Sequence, residues 1–431
     1  MSIGILHTNI VLHEPGKLHR GSLDPIRGHI NVRYSPGPRN NGELFGPLRI
    51  VAILHGRAKT KVWKSSGQST HIYRGRATLF RLPVIVFNGA FRAQPGESVN
   101  FPFQLNFPEL TGGPGAQIDQ FEGDVRFAYP QAHPLPPSFN KEYSGFSRKY
   151  DCFVEYRVGV NISMPGLPVG VVKPDKYSEP FVGYRQPGQR GVLPERIRES
   201  DLRGYVSVSS ALLLPESKRP SGFKQKAKVF FGAGNLPTYA FDWLCVAPLD
   251  LYFGQPIAFR VSVKPREKEC TAPLIPDIRL RSFLIDIKES ITVRTERSVF
   301  TCIESGGTAT VAEMAVKLED SAPLSEENNF TKIVTTAPFI NHRLAPTFRT
   351  YNIAVAYFVR VRFAFEVADK LKKFDREFRV VIRPPLESQL APSTEPGPSS
   401  APAVTGEIPG VYAPPQEPLP PPYEETPTGQ Q

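Results

Sequence analysis

The sequence has few of the features that carry catalysis or metal binding. Its 431 residues include only four cysteines, which lie far apart and lack the paired spacing of a metal site. The eight histidines form neither a His-Glu-x-x-His motif nor a close set with a cysteine. A Gly-x-Ser-x-Gly elbow and a phosphate-binding loop are also missing. We therefore expect a protein that is not an enzyme, with no catalytic residues, no metal and no other cofactor.

Long apolar runs and a leader segment are missing too. No stretch reaches the ~18 uncharged apolar residues of a membrane span. The first ten residues have neither the basic start nor the apolar run of a signal peptide. These absences predict a cytoplasmic protein. Reduced thiols at Cys152, Cys245, Cys270 and Cys302 are expected in that compartment.

Helix signals are scarce, whereas proline is frequent. The 45 prolines are about twice the usual ~5% share. Proline spread through a folded body argues against a helical protein, because it removes a backbone donor and fixes φ. The best helix candidate is Leu193–Leu202, with Pro194 in a first-turn position. It lies within a polar, Gly/Pro-rich stretch from about Pro165 to Gly204.

The apolar residues have a dominant period of two. Between Cys152 and Ile162 the even positions are apolar or aromatic, which is typical of a half-buried antiparallel strand. The longest example runs from Ile353 to Val367, with apolar residues at the odd positions. Shorter examples are Ile257–Val263 and Phe378–Ile382, and Gly/Pro turn signals separate the strands. The pattern predicts an all-β protein made of antiparallel sandwiches.

We predict two folded domains and a tail. A boundary near Gly232–Pro237 separates residues 1–232, which include an insertion at about 165–204, from residues 233–385. From residue 386 onward the chain is mostly Pro, Ser, Thr, Gly, Ala and Glu. Such a segment buries too little apolar surface to offset its ordering entropy. Residues 386–431 are therefore expected to be a disordered, acidic, Pro-rich tail.

Charge is distributed unevenly along the chain. The tail holds six glutamates and no Asp, Lys or Arg, so a whole-chain charge of +11 leaves +17 on residues 1–385. A basic body favours acidic or phosphorylated partners, or an anionic membrane surface. Because no nucleic-acid recognition motif accompanies this charge, we do not expect nucleic acid as a partner.

The tail carries one short motif with a direct physical use. Leu419-Pro420-Pro421-Pro422-Tyr423 contains a Pro-Pro-x-Tyr (PPxY) sequence. A proline run preforms the polyproline II helix, which WW domains bind in aromatic grooves. Leu419, Pro420, Pro421 and Tyr423 are the candidate WW-binding residues. The two prolines would fill the aromatic slot, and the tyrosine would enter a second pocket.

A second candidate site is a basic patch on two neighbouring predicted strands. In the stretch Ile50–Lys64, three cations occupy odd positions opposite an apolar even face, and the next strand places two more on one face. The patch consists of Arg57, Lys59, Lys61, Arg74 and Arg76. If the strands pair in register, it would bind acidic or phosphorylated cargo, since arginine matches carboxylate and phosphate bidentately. A solvated strand face that resists edge aggregation is the alternative.

Several segments in roughly the first 160 residues resemble the N-terminal domain of arrestins. Pro95-Gly-Glu-Ser-Val-Asn-Phe-Pro-Phe-Gln-Leu-Asn-Phe-Pro108 is similar to the PGE…FPF…LP strand pair of that domain. Leu135-Pro-Pro-Ser-Phe139, followed by Val154-Glu-Tyr-Arg-Val158, resembles its LPSSF…Y.V.A element. The stretches 10–16 and 27–32 look like its first hairpin. The later residues are similar only in their β-rich pattern, and the terminal PPxY makes the fungal α-arrestins the most similar subgroup.

The resemblance implies two arrestin-like antiparallel β-sandwich domains and an adaptor function. α-Arrestins recruit WW-domain HECT ubiquitin ligases through PPxY motifs to plasma-membrane transporters or receptors, which are then ubiquitinated and internalised. It also implies a cytoplasmic protein recruited to the plasma membrane or endosomes. This chain has a single PPxY, where many relatives carry two or more. The alternatives are a signalling scaffold or a retromer-like sorting subunit of the same fold, whose tail binds a WW protein that is not a ligase.

Overall fold

The computed structural model is built almost entirely from β-strands. It describes residues 4–37, 42–66, 69–112, 126–127, 132–145, 148–165, 172–174, 178–187, 198–219, 236–297, 300–305, 308–316, 318, 322–338 and 344–385. Within these ranges the helical elements are short 3-10 turns, and no α-helix occurs. None of the helical turns in the described part of the chain is long and apolar enough to span a membrane. The prediction of an all-β protein with antiparallel sheets is confirmed.

The first ten strands are called the N-terminal strand group. They are β1 (Gly4–Leu12), β2 (Leu18–Arg20), β3 (Ile26–Pro36), β4 (Leu44–Ser66), β5 (Ser69–Ala93), β6 (Ser98–Leu105), β7 (Phe139–Ser144), β8 (Arg148–Ser163), β9 (Val172–Pro174) and β10 (Gly183–Arg185).

The remaining strands are called the C-terminal strand group. They are β11 (Glu199–Ser209), β12 (Thr238–Pro248), β13 (Asp250–Tyr252), β14 (Pro256–Pro265), β15 (Ile278–Arg297), β16 (Phe300–Ser305), β17 (Ala309–Val316), β18 (Thr331–Pro338), β19 (Phe348–Arg349), β20 (Ile353–Val367) and β21 (Lys370–Arg383).

Aromatic contacts join the sheets within each group. In the N-terminal group, Phe101 of the sheet β6-β3-β1-β9 contacts Phe87 of β5, with ring centroids 4.9 Å apart. In the C-terminal group, Trp243 of the sheet β11-β12-β14-β18 contacts Phe363 and Phe374 at 5.0 and 4.8 Å. These rings fill the space between sheets, as the alternating strand pattern requires.

One eleven-stranded sheet runs through both groups in the main order β13-β21-β20-β15-β5-β4-β8-β7. The groups meet where Glu296 of β15 pairs with Arg74 of β5. Beside this junction the Thr60 hydroxyl donates a 2.6 Å hydrogen bond to the Arg294 carbonyl, and the Asn352 amide donates to the Ala58 carbonyl at 3.2 Å. The division into domains at residues 232 and 233 stays a prediction.

The described parts of the stretch 165–204 contribute two short strands and the first part of a third. Strand β9 pairs with β1 in parallel, β10 pairs with β2, and β11 pairs along its length with β12. The helix predicted for Leu193–Leu202 is wrong over residues 199–202, because the ladder with β12 engages their backbone groups. Residues 193–197 lie outside the described part of the chain.

The residues from Leu135 to Ser138, just before β7, are fixed by hydrogen bonds rather than by regular pairing. The Tyr156 hydroxyl donates to the Pro136 carbonyl at 2.6 Å, and the Gln186 amide donates to the Leu135 carbonyl at 2.9 Å. Burial raises the pKa of the Tyr156 hydroxyl, which keeps it a donor. Tyr156 of β8 and Gln186 therefore both hold the chain just before it enters β7.

Candidate functional site

The structure brings the five cations of the basic patch onto one face of the sheet. Strand β4 pairs with β5 on one side and with β8 on the other. In the β4–β5 ladder Lys59 lies opposite Arg76, and Lys61 lies opposite Arg74. The register on which the predicted patch depended is therefore present. On the opposite face of β4, which points to the core, the alternate residues are buried, as the sequence pattern predicted.

The five side chains differ in how far they are available to a partner. Arg74 and Arg76 are exposed, whereas Lys59 and Lys61 are half-buried. Arg57 forms an ion pair with Glu155, its register partner on β8, and Glu155 is only 6% exposed. A buried carboxylate needs such partners. The exposed arginines of the patch are therefore available to a ligand, whereas Arg57 is engaged by Glu155 of the neighbouring strand β8.

Aromatic rings lie under the lysines of the patch. The Lys61 ammonium lies 4.3 Å from the centroid of the Trp63 ring, and Lys149 lies 4.9 Å from the same ring. Lys59 lies 5.4 Å from the Phe153 ring. These cation–π contacts hold the ammonium groups near the sheet. Lys149 is a further cation that sequence reasoning missed, although extending the period-two pattern of β8 back to residue 149 would have found it.

The patch also contains an acidic neighbour. Asp151 of β8 is the register partner of Lys61, and Glu142 of β7 is the register partner of Asp151. Burial, together with the charge of Glu142, raises the pKa of Asp151, whereas Lys149 and Lys61 oppose that rise. The side of the patch toward β8 is thus partly neutralised, and the side toward β5 is the more cationic.

The corresponding face of the C-terminal strand group has a different charge pattern. There, cations and carboxylates of β15, β20 and β21 form ion pairs across the strands. Arg362 donates to Asp286 at 2.8 Å, and Arg360 donates to Asp375 at 2.8 Å. On that face, ion pairs therefore offset the cations, whereas the cations of the patch have no such carboxylate partners on β4 and β5 themselves.

A groove of about 540 Å³ adjoins the patch. Its walls include Arg57, Arg76 and Arg81, together with His55 and Glu179. The His55 ring and the Glu179 carboxylate lie 3.2 Å apart, and this hydrogen bond lowers the pKa of Glu179. Arg81 brings a further exposed cation to the β5 side of the patch. The groove and the patch form a continuous cationic surface suited to an acidic ligand.

The cysteine thiols and the metal-ligating types of side chain were the other groups considered for a functional role. Burial raises the pKa of the Cys152 thiol and raises that of Cys245 to about 12, so both stay protonated. Cys152, Cys245 and Cys270 are free thiols. Among the described residues, no group of three or more His, Cys, Asp or Glu side chains is placed to hold a metal ion.

The predicted WW-binding residues Leu419, Pro420, Pro421 and Tyr423 lie outside the described residues, as does the whole of the tail from 386 to 431. No protein family model matches the sequence, and a search of curated proteins finds no significant match. Of the two sites predicted from the sequence, the basic patch is the one that lies within the described residues.

Proposed function

We propose that the protein is a non-enzymatic, arrestin-like adaptor of the cytoplasm. Its folded body binds acidic or phosphorylated tails of plasma-membrane transporters or receptors. Its PPxY motif recruits a WW-domain HECT ubiquitin ligase, and the cargo is then ubiquitinated and internalised at the plasma membrane or endosomes. The observation that carries the proposal is the register of β4 and β5, which places Lys59, Lys61, Arg74 and Arg76 on one face.

The position of the patch favours a binding function over edge protection. Charges that resist aggregation are useful on strands with an unpaired edge. Strand β4 has partners on both sides, and Arg74 of β5 pairs with Glu296 of β15. The cations of β4 therefore do not protect an edge, so another role is needed for them. Strand β5 pairs with β15 only at Arg74, so edge protection stays the alternative for Arg76. Recognition of a negatively charged partner is the role that their chemistry supports.

Two of the segments that resemble arrestins have a defined local structure. The turn between β5 and β6 has Gly96 at φ +83°, a conformation that favours glycine. The stretch Leu135–Phe139 is held by Tyr156 and Gln186. Gly96 therefore has a conformational role in its turn, and the Leu135 and Pro136 carbonyls have side-chain donors.

The mechanism of such an adaptor is proximity. A ligase bound to the tail and a cargo bound to the body share one molecule, so their encounter becomes intramolecular. Effective concentrations of the order of mM are typical for short flexible tethers. The adaptor itself needs no reacting group.

The test is a pull-down of the full-length protein from cells, probed for HECT ligases and for ubiquitin on the adaptor. We expect Tyr423→Ala to lose both signals. Tyr412→Ala is the matched control, because it removes a tyrosine of the same tail that lacks the paired prolines. Retention of both signals in Tyr423→Ala would refute ligase recruitment. Capture of a WW protein that is not a ligase would favour the scaffold or sorting alternative.

A further inference from the structure

The cationic face of β4 continues past the patch to a row of three basic side chains. His55 of β4 is the register partner of Arg81 on β5 and of Arg157 on β8. We call Arg81, His55 and Arg157 the basic row. His55 and Arg81 line the groove of about 540 Å³ beside the patch. Because the two arginines place positive charge on both sides of the histidine, an anion over this row is stabilised.

An irregularity in the β4–β5 ladder brings Arg81 to this face. Arg76 has an even position and Arg81 an odd one, so in a regular strand their side chains would point to opposite faces. The register shifts between them, where the consecutive residues Leu79 and Phe80 are both buried. A β-bulge of this kind changes the direction of the side chains that follow it. As a result, both arginines line the same groove.

A neighbouring segment places a carboxylate beside the basic row. The Glu179 oxygen Oε2 lies 3.2 Å from the His55 nitrogen Nε2. This hydrogen bond lowers the pKa of Glu179, and the charges of Arg157 and Arg57 add to the effect. Of the described residues that line the groove, Glu179 is the only carboxylate. The protein itself therefore supplies an anion to the row.

The backbone of the segment that carries Glu179 is fastened to β8. Hydrogen bonds of 3.2 and 3.0 Å join Pro180 and Val182 to that strand. Between them, the Phe181 ring centroid lies 3.8 Å from the guanidinium carbon of Arg157. The Glu179 side chain, in contrast, is 35% exposed, which leaves it room to adopt another rotamer. A ligand can therefore displace the carboxylate by side-chain rotation, with the backbone of the segment in place.

The surroundings of the row favour a binding function over a purely structural ion pair. Arg76 and Arg81 are exposed, and no ion pair engages either of them in the part of the chain that the structure describes. One glutamate therefore does not neutralise the groove. Exposed arginines beside a single carboxylate leave a surface that a stronger or more highly charged anion binds in its place.

We propose that the basic row is an anion-binding subsite, and that Glu179 occupies it in the free protein as an internal competitor of the acidic ligand. A phosphate or carboxylate group of the ligand replaces the Glu179 carboxylate when it binds. Because Glu179 is attached beside the row, its effective concentration there is high, and it weakens every ligand of the row by the same factor. The inference rests on the proposed function, since the row belongs to the same cationic surface.

The experiment is fluorescence anisotropy of the purified full-length protein with two labelled peptides at low salt. The peptides share one sequence, with phosphoserine in the first where the second has glutamate. We expect Glu179→Gln to bind both peptides at least about threefold more tightly than the wild type, and by the same factor. Glu142→Gln is the matched control, because it removes an exposed carboxylate of β7 that does not line the groove. It should bind within about twofold of the wild type.

A second variant separates occupation of the row from the effect of charge alone. Glu179→Asp keeps the negative charge but shortens the side chain by one methylene, which withdraws the carboxylate from His55. We expect its affinity for both peptides to lie between those of the wild type and Glu179→Gln. Affinities equal to those of the wild type would show that the carboxylate acts only through its charge, which would overturn the proposal. Urea midpoints of all variants establish that they are folded.

Other results would also overturn the proposal. They are equal affinities of Glu179→Gln and the wild type, equal gains in Glu179→Gln and Glu142→Gln, and a gain for only one of the two peptides. If neither the wild type nor Glu179→Gln bound a peptide, cargo binding by the patch would be refuted together with the subsite. Peptide binding that depends on Arg74 and Arg76 but not on Glu179 would refute the subsite alone, so the two proposals are distinguished.

Discussion

Lys141 of β7 reaches across to Glu289 of β15, with its ammonium nitrogen 2.6 Å from the carboxylate oxygen Oε2. Glu289 is only 4% exposed and also accepts a 3.1 Å hydrogen bond from the Tyr357 hydroxyl. Burial, and then the charge of Glu289 and its hydrogen bond, raise the pKa of Tyr357. A cation from the N-terminal strand group therefore neutralises a buried carboxylate of the C-terminal group.

The first prediction is that Lys141→Met destabilises the protein. Removing one partner of a buried ion pair leaves an uncompensated charge. Because the lysine is 42% exposed, water offsets part of the loss, and we expect a decrease of about 1–3 kcal/mol in the free energy of unfolding. Urea unfolding measures it. Adding Glu289→Gln to Lys141→Met should restore part of the stability.

The control for this prediction is Lys17→Met, since Lys17 pairs with Glu14 and Asp24 at the surface. Exposed pairs contribute about 0–1 kcal/mol. Equal urea midpoints for Lys141→Met and Lys17→Met would contradict a special role for Lys141.

The second prediction concerns pH and Asp250. Hydrogen bonds from Arg198 and Arg383, of which the Arg198 bond has the larger effect, lower the pKa of Asp250 from 3.8. A folded-state pKa below the unfolded value gives stability that is complete above the unfolded pKa and is lost as pH falls through the folded pKa. Asp250→Asn should therefore be less stable than wild type at neutral pH, by about 1–3 kcal/mol.

The difference between wild type and Asp250→Asn should shrink as the pH falls from about 5 toward about 3. Urea unfolding at several pH values gives both curves. Asp201→Asn is the comparison, since Asp201 pairs with Arg203 at an exposed position. If the unfolding free energies of the wild type and Asp250→Asn changed with pH in parallel across the acid range, Asp250 would not be the source of this pH dependence.

The third prediction tests the basic patch with a defined probe. Arg74→Glu with Arg76→Glu should weaken binding of a fluorescent peptide that contains phosphoserine and glutamate by at least about tenfold at low salt. The difference in peptide affinity between the wild type and this variant should be smaller at high salt, because exposed charges are screened. Fluorescence anisotropy measures both. Lys264→Glu with Lys268→Glu reverses two exposed charges elsewhere. A similar loss in that control would indicate binding by overall charge alone.

The fourth prediction concerns Gly204 of β11. A Cβ atom at this position would overlap the ring of Trp243, which is 1% exposed. Overpacking a filled core costs typically about 1–3 kcal/mol, so Gly204→Ala should lower the thermal midpoint. At Gly89 a Cβ atom would lie 3.5 Å from Phe87, an ordinary contact. Gly89→Ala should leave the midpoint nearly unchanged, and an equal shift for both variants would refute the packing argument.

The alternation of apolar and polar residues along the chain was sufficient to predict much of the fold. Strand β20 has the predicted bounds, Ile353–Val367, and its odd positions are buried. The even positions of β8 from Cys152 to Val160 are buried as well. For β4 the same pattern separated the core face from the cationic face. A period of two determines which way each side chain points, and this information is local.

Long-range relationships were beyond the sequence pattern. Glu155 occupies an outward position in the alternation, yet the arginines on either side bury it. Residues 199–202 have a helix-like sequence but pair with β12. The exposure of Leu212 and Leu274 depends on how distant loops meet. Tertiary pairing decides these features, and a single sequence does not record it.

The junction of the two strand groups also sets an order of events during synthesis. The Thr60 hydroxyl bonds to the Arg294 carbonyl and the Ala58 carbonyl to the Asn352 amide, so β4 is completed by residues more than two hundred positions later. Contacts of such sequence separation slow folding and leave partly folded chains open to aggregation. Strand β4, which bears the cationic face, therefore lacks these hydrogen-bond partners until almost the whole folded body has been synthesised.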